Sequence, residues 1–332
     1  MEGALDQGFG KMGFAALRYS PNEIVCVVDS KHAGMDTRDV TGIPRSTPIV
    51  ADIESARAMG AEVLLLGIAP PGGLIPESWY EVLDKAVEIG FCLINGLHDR
   101  LAPRYLALPE GQWVWDIRTE PPGIGVGYAE ARKLNNTRVL FIGTDMSVGK
   151  MTAGLEMWKC ALERGVKAEF IATGQVGITV TGKGVPLDCI RLDFASGAIE
   201  REVLAAQDAD LILVEGQGSL GHPGSSATLP LIRGSQPTHF VMCHRAGMTK
   251  NPRIDWLTIP DLSELIKLYE DLAETCGTFI RPKTVGMCLN TGHIKDDEEA
   301  AREVQEWEQK IGLPVVDPVR DGTDKIVTAL GF

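Results

Sequence analysis

The chain has 332 residues, 44% hydrophobic and 23% charged, with a formal net charge of −13. That length suits two domains of about 150 residues each, and the composition excludes a disordered or low-complexity chain. The acidic balance, with no basic stripe, argues against a nucleic-acid partner but leaves room for a small anion held by local amides and a few cations.

Apolar runs such as VLLLGIA (residues 63–69) are strand-sized, far short of the roughly 20 residues of a membrane helix. The opening MEGALDQGFGKMGF lacks a basic start followed by an apolar core, so no signal peptide and no membrane partner are expected. Seven cysteines are scattered without a CxxC pair, which predicts buried free thiols and a cytoplasmic setting.

In chain order, EIVCVVD (23–29) reads as a strand and DIESARAMG (52–60) as a helix that starts on a capping aspartate and stops at glycine. AEVLLLGIA (61–69) is a strand. PESWYEVLDKAVEIG (76–90) is a helix with an apolar stripe of Trp79, Val82, Leu83, Ala86 and Val87, and FCLING (91–96) is the next strand. Alternation of this kind predicts a parallel sheet covered by helices over residues 1–120. RTEPPGIGVGYAEARKLNN (118–136) clusters proline and glycine without a hydrophobic period. It predicts a boundary, with a linker over 121–136 and a second domain over 137–332.

That second domain opens with a strand, TRVLFIG (137–143), followed by a glycine-rich loop and a helix over 150–165 whose face is read as Met151, Leu155, Trp158 and Leu162. Strands are expected at 168–174, 189–194, 209–216, 238–244 and 284–290, with helices at 261–277 and 296–312. The pattern is that of a doubly wound α/β domain. The segments ATGQVGI (172–178), DFASGA (193–198), EGQGSLGHPGSS (215–226) and CHRAG (243–247) read as loops at the carboxyl ends of strands, where an open α/β sheet binds ligands.

The loop GTDMSVGKMT (143–152) is the most specific signal. A strand, a glycine-rich turn and a helix N-terminus make an anion site, because the first helix amides have no internal partner and the helix dipole presents its positive end. Gly143 and Gly149 allow close backbone approach, Lys150 adds a charge, and Thr144, Asp145, Ser147, Met151 and Thr152 complete the candidate phosphate-binding set. The hydroxyl that normally follows the lysine and ligates magnesium is displaced. Met151 stands there, and Thr152 lies about 100° further round the helix. The spacing and the GTD opening resemble the dethiobiotin synthetase branch of P-loop enzymes, which implies an ATP- and magnesium-dependent ligase or kinase as one reading. Glu215, at the end of an apolar strand, and Asp145 are the acids such a reading would use. His222 lies among glycines, as a base or a loop hydrogen-bond donor, and His244 reads as structural. NGLHDRL (95–101) brings His98, Asp99 and Arg100 to the edge of the first sheet, as ligand contacts or as a turn with an ion pair.

Taken together, GGLIPESW, NGLHDRL, GTDMSVGKMT, ATGQVGI, DFASGA, VEGQGSLGHP, GSQP, LNT and LPVVDPVR follow in the order that resembles the D-glutamate N-acetyltransferase family, long known only as a domain of unknown function. The resemblance spans about residues 23–320 and departs over HRAGMTKNPRIDW (244–256) and at a short N-terminus. It implies a Rossmann-like N-terminal domain, a P-loop NTPase-like C-terminal domain, and transfer of an acetyl group from acetyl-CoA to the amine of D-glutamate or a similar acidic amino acid. A loop that only cradles coenzyme phosphates can dispense with the metal-binding hydroxyl, so no metal is assigned to it. On that reading His222 or Glu215 serves as base and the amides near 216–219 receive the developing oxyanion. Gln175, Gln217, Ser219, His98, Arg100 and Arg320 contact substrate, with Lys183 and Arg233 as further cations for its carboxylates. A homo-oligomer is expected. A coenzyme-binding regulatory module without turnover is a third reading.

Overall fold

A computed structural model describes residues 1–6, 10–278 and 280–332. It divides into two compact units, Met1–Glu120 with Gln175–Cys189, and Pro121–Gly174 with Ile190–Phe332.

The first unit comprises α1 (Lys11–Tyr19), β1 (Val27–Val28), α2 (Thr37–Thr41), β2 (Ile49–Val50), α3 (Ile53–Ala58), β3 (Val63–Leu65), α4 (Tyr80–Glu88), β4 (Cys92–Asn95) and β5 (Val114–Asp116). β1 pairs with β2, and β3, β4 and β5 form a second sheet in that order, all parallel. Ile53, Leu66, Leu83, Ala86, Phe91, Leu93 and Leu101 make one core cluster. The expected stripe on α4 is buried at Leu83 and Ala86, but Val82 is exposed. A buried polar knot fixes the loop after β4. Asn95 donates to Asp116 Oδ1 at 2.8 Å, and Asp116 accepts the amides of Leu101 and Ala102 at 2.9 Å each.

The second unit starts with β6 (Thr137–Gly143), α5 (Lys150–Glu163) and β7 (Ala168–Ile171). The chain then supplies α6 (Gln175–Thr181) to the first unit, where it packs on α1. It continues with α7 (Ala195–Ala205), β8 (Leu211–Val214), α8 (Thr228–Ser235), β9 (His239–Arg245), α9 (Leu262–Cys276), β10 (Lys283–Asn290), α10 (Asp297–Ile311), β11 (Val315–Val316) and α11 (Asp324–Ala329). The six-stranded sheet has the order β11-β10-β9-β6-β8-β7, and every pairing is parallel. This is the doubly wound α/β arrangement expected, with apolar runs such as LILV in β8 buried at every position.

Three expectations need correction. Residues 189–194 are not a strand. β7 pairs directly with β8, and the segment forms single 3-10 turns at Leu187–Cys189 and Leu192–Phe194 with Leu192 exposed, so its apolar residues have no sheet face to share. ATGQVGI and DFASGA are not loops but helix starts. QVGITVT is rich in β-branched residues and glycine, which lowers helix propensity. The helix α6 forms with Gly177, Ile178 and Val180 buried, and the hydroxyls of Thr179 and Thr181 are satisfied by the carbonyls of Gln175 and Gly177 at 2.8 and 3.0 Å. The buried face of α5 consists of Lys150, Ala153, Gly154, Leu155, Met157, Cys160 and Ala161, whereas Leu162 is 46% exposed. Small residues face the sheet because it lies close: a Cβ on Gly154 would meet the Phe170 ring at 2.6 Å.

The segment over 121–136 is held against α7. Buried Glu200 accepts the amides of Tyr128 and Glu130 at 3.1 Å, and Gly197 leaves room for the backbone at Gly125. All seven cysteines are free thiols, four buried and three half-buried. Among the described residues no helix is long and apolar enough to cross a membrane.

Candidate phosphate-binding site of the second unit

β6 lies between β8 and β9, and the chain winds outward from it in both directions. The crevice at such a switch point opens beyond the carboxyl end of the central strand, which is where the glycine-rich loop sits. Gly149, at φ +107°, caps α5 without a side-chain cap bond. A Cβ there would have ordinary contacts, 3.6 Å at nearest, so the left-handed backbone rather than lack of space calls for glycine. Ser147 also takes a positive φ, +58°. The first turn of α5 thus starts without a side-chain cap on its amides, an arrangement that suits an anion.

Lys150 is buried at the start of α5, and its Nζ donates to the carbonyl of Asp145 at 2.8 Å. Its stem lies against Gly216, where a Cβ would approach Lys150 Cδ at 2.9 Å and the Phe141 carbonyl oxygen at 1.6 Å. Burial holds its pKa below the ordinary value, opposed by the nearby Cys243, Asp145 and Glu215. Met151 and Thr152 are half-buried on the first turn. Thr144 is buried. Its amide donates to the Cys243 carbonyl at 3.1 Å, and its hydroxyl meets His244 Nδ1 at 3.0 Å. Burial pushes His244 down to about 4, so it is neutral at physiological pH and packs edge-on against Trp307. Buried Asp145 accepts the Met146 amide at 2.7 Å and the Asn251 side-chain amide at 2.6 Å.

Glu215, just after β8, is 3% exposed. Its Oε2 accepts the amides of Thr173 and Gly174 at 2.8 and 3.1 Å, binding the loop after neighbouring β7. Burial raises its pKa to about 7, against those two amides, Lys150 and Gln217, which favour the carboxylate. Gln217 is half-buried, with its amide nitrogen against Gly174. The Ser219 hydroxyl donates to the Thr144 carbonyl at 3.0 Å, and its amide is already bound to Ser225 Oγ at 3.0 Å. Ser219 thus braces the loop with its hydroxyl and has no free amide for an oxyanion. His222 is half-buried, and its Nδ1 accepts the Gly224 amide at 3.0 Å. A neutral ring in that bond carries its proton on Nε2.

The structure thus brings Gly143, Thr144, Asp145, Gly149, Lys150, Glu215 and Ser219 together. Arg320 is otherwise engaged in the second unit. Its Nε donates to Thr291 Oγ1 at 3.1 Å, one terminal nitrogen pairs with Asp297, and the other donates to the Ile294 carbonyl at 2.5 Å. Arg233 is exposed and donates to the Cys276 carbonyl at 3.3 Å. His98, Arg100, Gln175 and Lys183 belong to the first unit. There Gln175 starts α6, Arg100 is exposed, and His98 stands against Gly73.

Two contributors escape the sequence reading. Asn251 ties the segment after β9 to the loop through Asp145, and its Oδ1 accepts the amides of Arg253 and Ile254 at 2.8 and 2.9 Å. The Asn-Pro pair at 251–252 is the available signal, since it marks a turn. Tyr269, fully buried on α9, donates to the Gly143 carbonyl at 3.2 Å and accepts the Leu220 amide at 3.1 Å. In sequence it is indistinguishable from a core aromatic.

Residues 125–327 match the P-loop domain of DUF1611, a domain of unknown function, and residues 30–120 match its Rossmann-like N-terminal domain. A protein of Tritonibacter scottomollicae named D-glutamate N-acetyltransferase is 40% identical over 84% of both chains. One of the same name from a Pseudoalteromonas species is 34% identical over 83% of both. The crystal structure of a DUF1611 family protein from Anabaena variabilis superposes with a TM-score of 0.93 at 45% identity, covering 98% of this chain and 96% of that one.

Proposed function

Because the chain belongs to the DUF1611 family, with its Rossmann-like and P-loop domains, we propose that it is an N-acetyltransferase moving acetyl from acetyl-CoA to the amine of D-glutamate or a similar acidic amino acid. The observation that carries this reading is the name borne by two relatives that each align with more than four-fifths of the chain.

The loop geometry supports a phosphate-cradling role. First-turn amides, the left-handed Gly149 and the buried Lys150 suit the coenzyme's pyrophosphate. The magnesium-binding hydroxyl is displaced to Thr152. Both nearby carboxylates, Asp145 and Glu215, already accept protein N–H groups. In the transfer itself the free amine attacks the thioester carbonyl, a C–N bond forms, the C–S bond breaks and the thiol leaves. Glu215, with its pKa near 7, is the group suited to take the ammonium proton at neutral pH. His222 suits the opposite task, since Nε2–H is its donor and the thioester oxygen gains charge in the transition state.

The test is thiol release from acetyl-CoA with D- and L-amino acids, beside ATP hydrolysis with magnesium. Release dependent on D-glutamate is expected. ATP turnover without thiol release would replace this reading with the ligase or kinase one, with Glu215 and Asp145 beside the metal. Coenzyme binding without turnover of any acceptor would leave a regulatory module.

A further inference from the structure

We propose that His98, Asp188 and Cys189 of the first unit form a three-ligand site for a zinc-type divalent cation. This inference is independent of the acetyltransferase reading. One ligand atom from each residue lies within 4.8 Å of the other two. A tetrahedral ion with bonds of about 2.0–2.3 Å sets its ligand atoms roughly 3.3–3.8 Å apart, so modest side-chain rotation closes the triangle. The donor set of one imidazole nitrogen, one carboxylate oxygen and one sulfur is borderline-soft. It selects zinc over magnesium or calcium, which take oxygen. Three protein ligands leave the fourth position to water or a small anion.

The surroundings hold these groups in place without the ion. The amide of His98 donates to the Gly73 carbonyl at 2.8 Å, and a Cβ on Gly73, at φ +67°, would strike the His98 ring at 2.6 Å. Only glycine leaves room for the ring in this orientation. The loop that carries His98 is anchored by the buried Asn95–Asp116 pair. Asp188 and Cys189 are consecutive in the 3-10 turn Leu187–Cys189. Arg118 Nε donates to Asp188 Oδ2 at 2.9 Å, which fixes the carboxylate, and the Cys189 thiol hydrogen-bonds to the same side chain, a contact that a bound cation would replace. Metal-ligating carboxylates are commonly held by such an outer partner. Exposed His98 and Asp188 give an ion a path in, and half-buried Cys189 closes the inner side. Binding forms a metal–sulfur bond and releases the thiol proton to solvent.

The experiment uses the full chain stripped of metal by a chelator and titrated with Co2+, whose thiolate complexes absorb by sulfur-to-metal charge transfer, then with Zn2+. One equivalent of cobalt should give the band, and zinc should displace it. Cys189→Ser should abolish the band, His98→Ala should weaken binding, and Cys276→Ser should leave both unchanged. Arg118→Gln should weaken the metal about 10–100-fold, as loss of an outer partner does. A wild-type chain with no band, or a band that persists in both Cys189→Ser and His98→Ala, overturns the proposal. The second result would mean that Asp188 and Cys189 only hydrogen-bond each other.

Discussion

The side-chain amide of Asn251 donates to Asp145 Oδ2 at 2.6 Å, with both residues buried. The bond spans 106 residues and fastens the segment after β9 onto the glycine-rich loop. Asn251→Ala leaves a buried carboxylate oxygen short of a donor and also releases the amides of Arg253 and Ile254. The expected cost is about 2 kcal/mol in urea unfolding. KM for acetyl-CoA should rise more than kcat falls.

Lys150→Met removes the loop's buried charge. KM for acetyl-CoA should rise about tenfold, roughly 1.4 kcal/mol of binding. Stability should move the other way. The folded pKa of Lys150 lies below the unfolded one, so the unfolded chain binds more protons between the two values, and wild-type stability rises with pH there. The variant should therefore be the more stable protein at neutral pH, by a margin that shrinks as the pH rises toward the lysine's ordinary value. Paired unfolding curves at pH 7 and 10 check the sign.

For Glu215 the linkage has the opposite sense. Its folded pKa of about 7 exceeds the ordinary 4.5, so the folded chain binds the extra proton in that window and wild-type stability falls as pH rises from about 4.5 to 7. Glu215→Gln keeps an oxygen for the Thr173 and Gly174 amides. It should match the wild type at pH 4.5 and exceed it above 7 by up to roughly 3 kcal/mol. If Glu215 is the base, kcat should drop about 10²–10⁴-fold in the variant, and the wild-type rate should rise with pH through an apparent pKa near 7. A wild-type profile flat across that range would remove it from the proton transfer.

Gly216→Ala places a methyl group 1.6 Å from the Phe141 carbonyl oxygen, which is backbone of β6 and has little freedom to retreat. Destabilisation of about 3 kcal/mol is expected from such overpacking. Residual activity should be lost even below the melting transition, because the strand that carries the loop must shift. Thermal unfolding and activity at low temperature separate the two effects.

The second unit was the more legible in sequence. β6, β8, β9 and β10 are buried on both faces and so read as continuous apolar runs, and a parallel sheet sends all their carboxyl ends to one side. Gly143, Lys150 and Glu215 meet for that reason alone. Asn251 and Tyr269 reach the same place across 106 and 126 residues, through contacts that leave no local pattern. α6 was hidden because its β-branched residues and glycine disfavour a helix, and its packing on the distant α1 leaves no local pattern. The face of α5 was misread for a related reason. Size suggested Leu162, which is exposed; Trp158 does reach Phe170, 6.1 Å between ring centroids, but where the helix comes nearest to Phe141 and Phe170 only Gly154 fits.

The excursion of Gln175–Cys189 into the first unit has a consequence for biosynthesis. When residue 120 leaves the ribosome, α1 still lacks the helix that covers it, and that helix is complete only some 60 residues later. At cellular translation rates the nascent first unit waits roughly 3–12 s with part of its apolar surface bare. Its final closure must follow synthesis of β6, α5 and β7. A fragment cut at Glu120 would keep that bare face permanently and should be recovered mainly as aggregate.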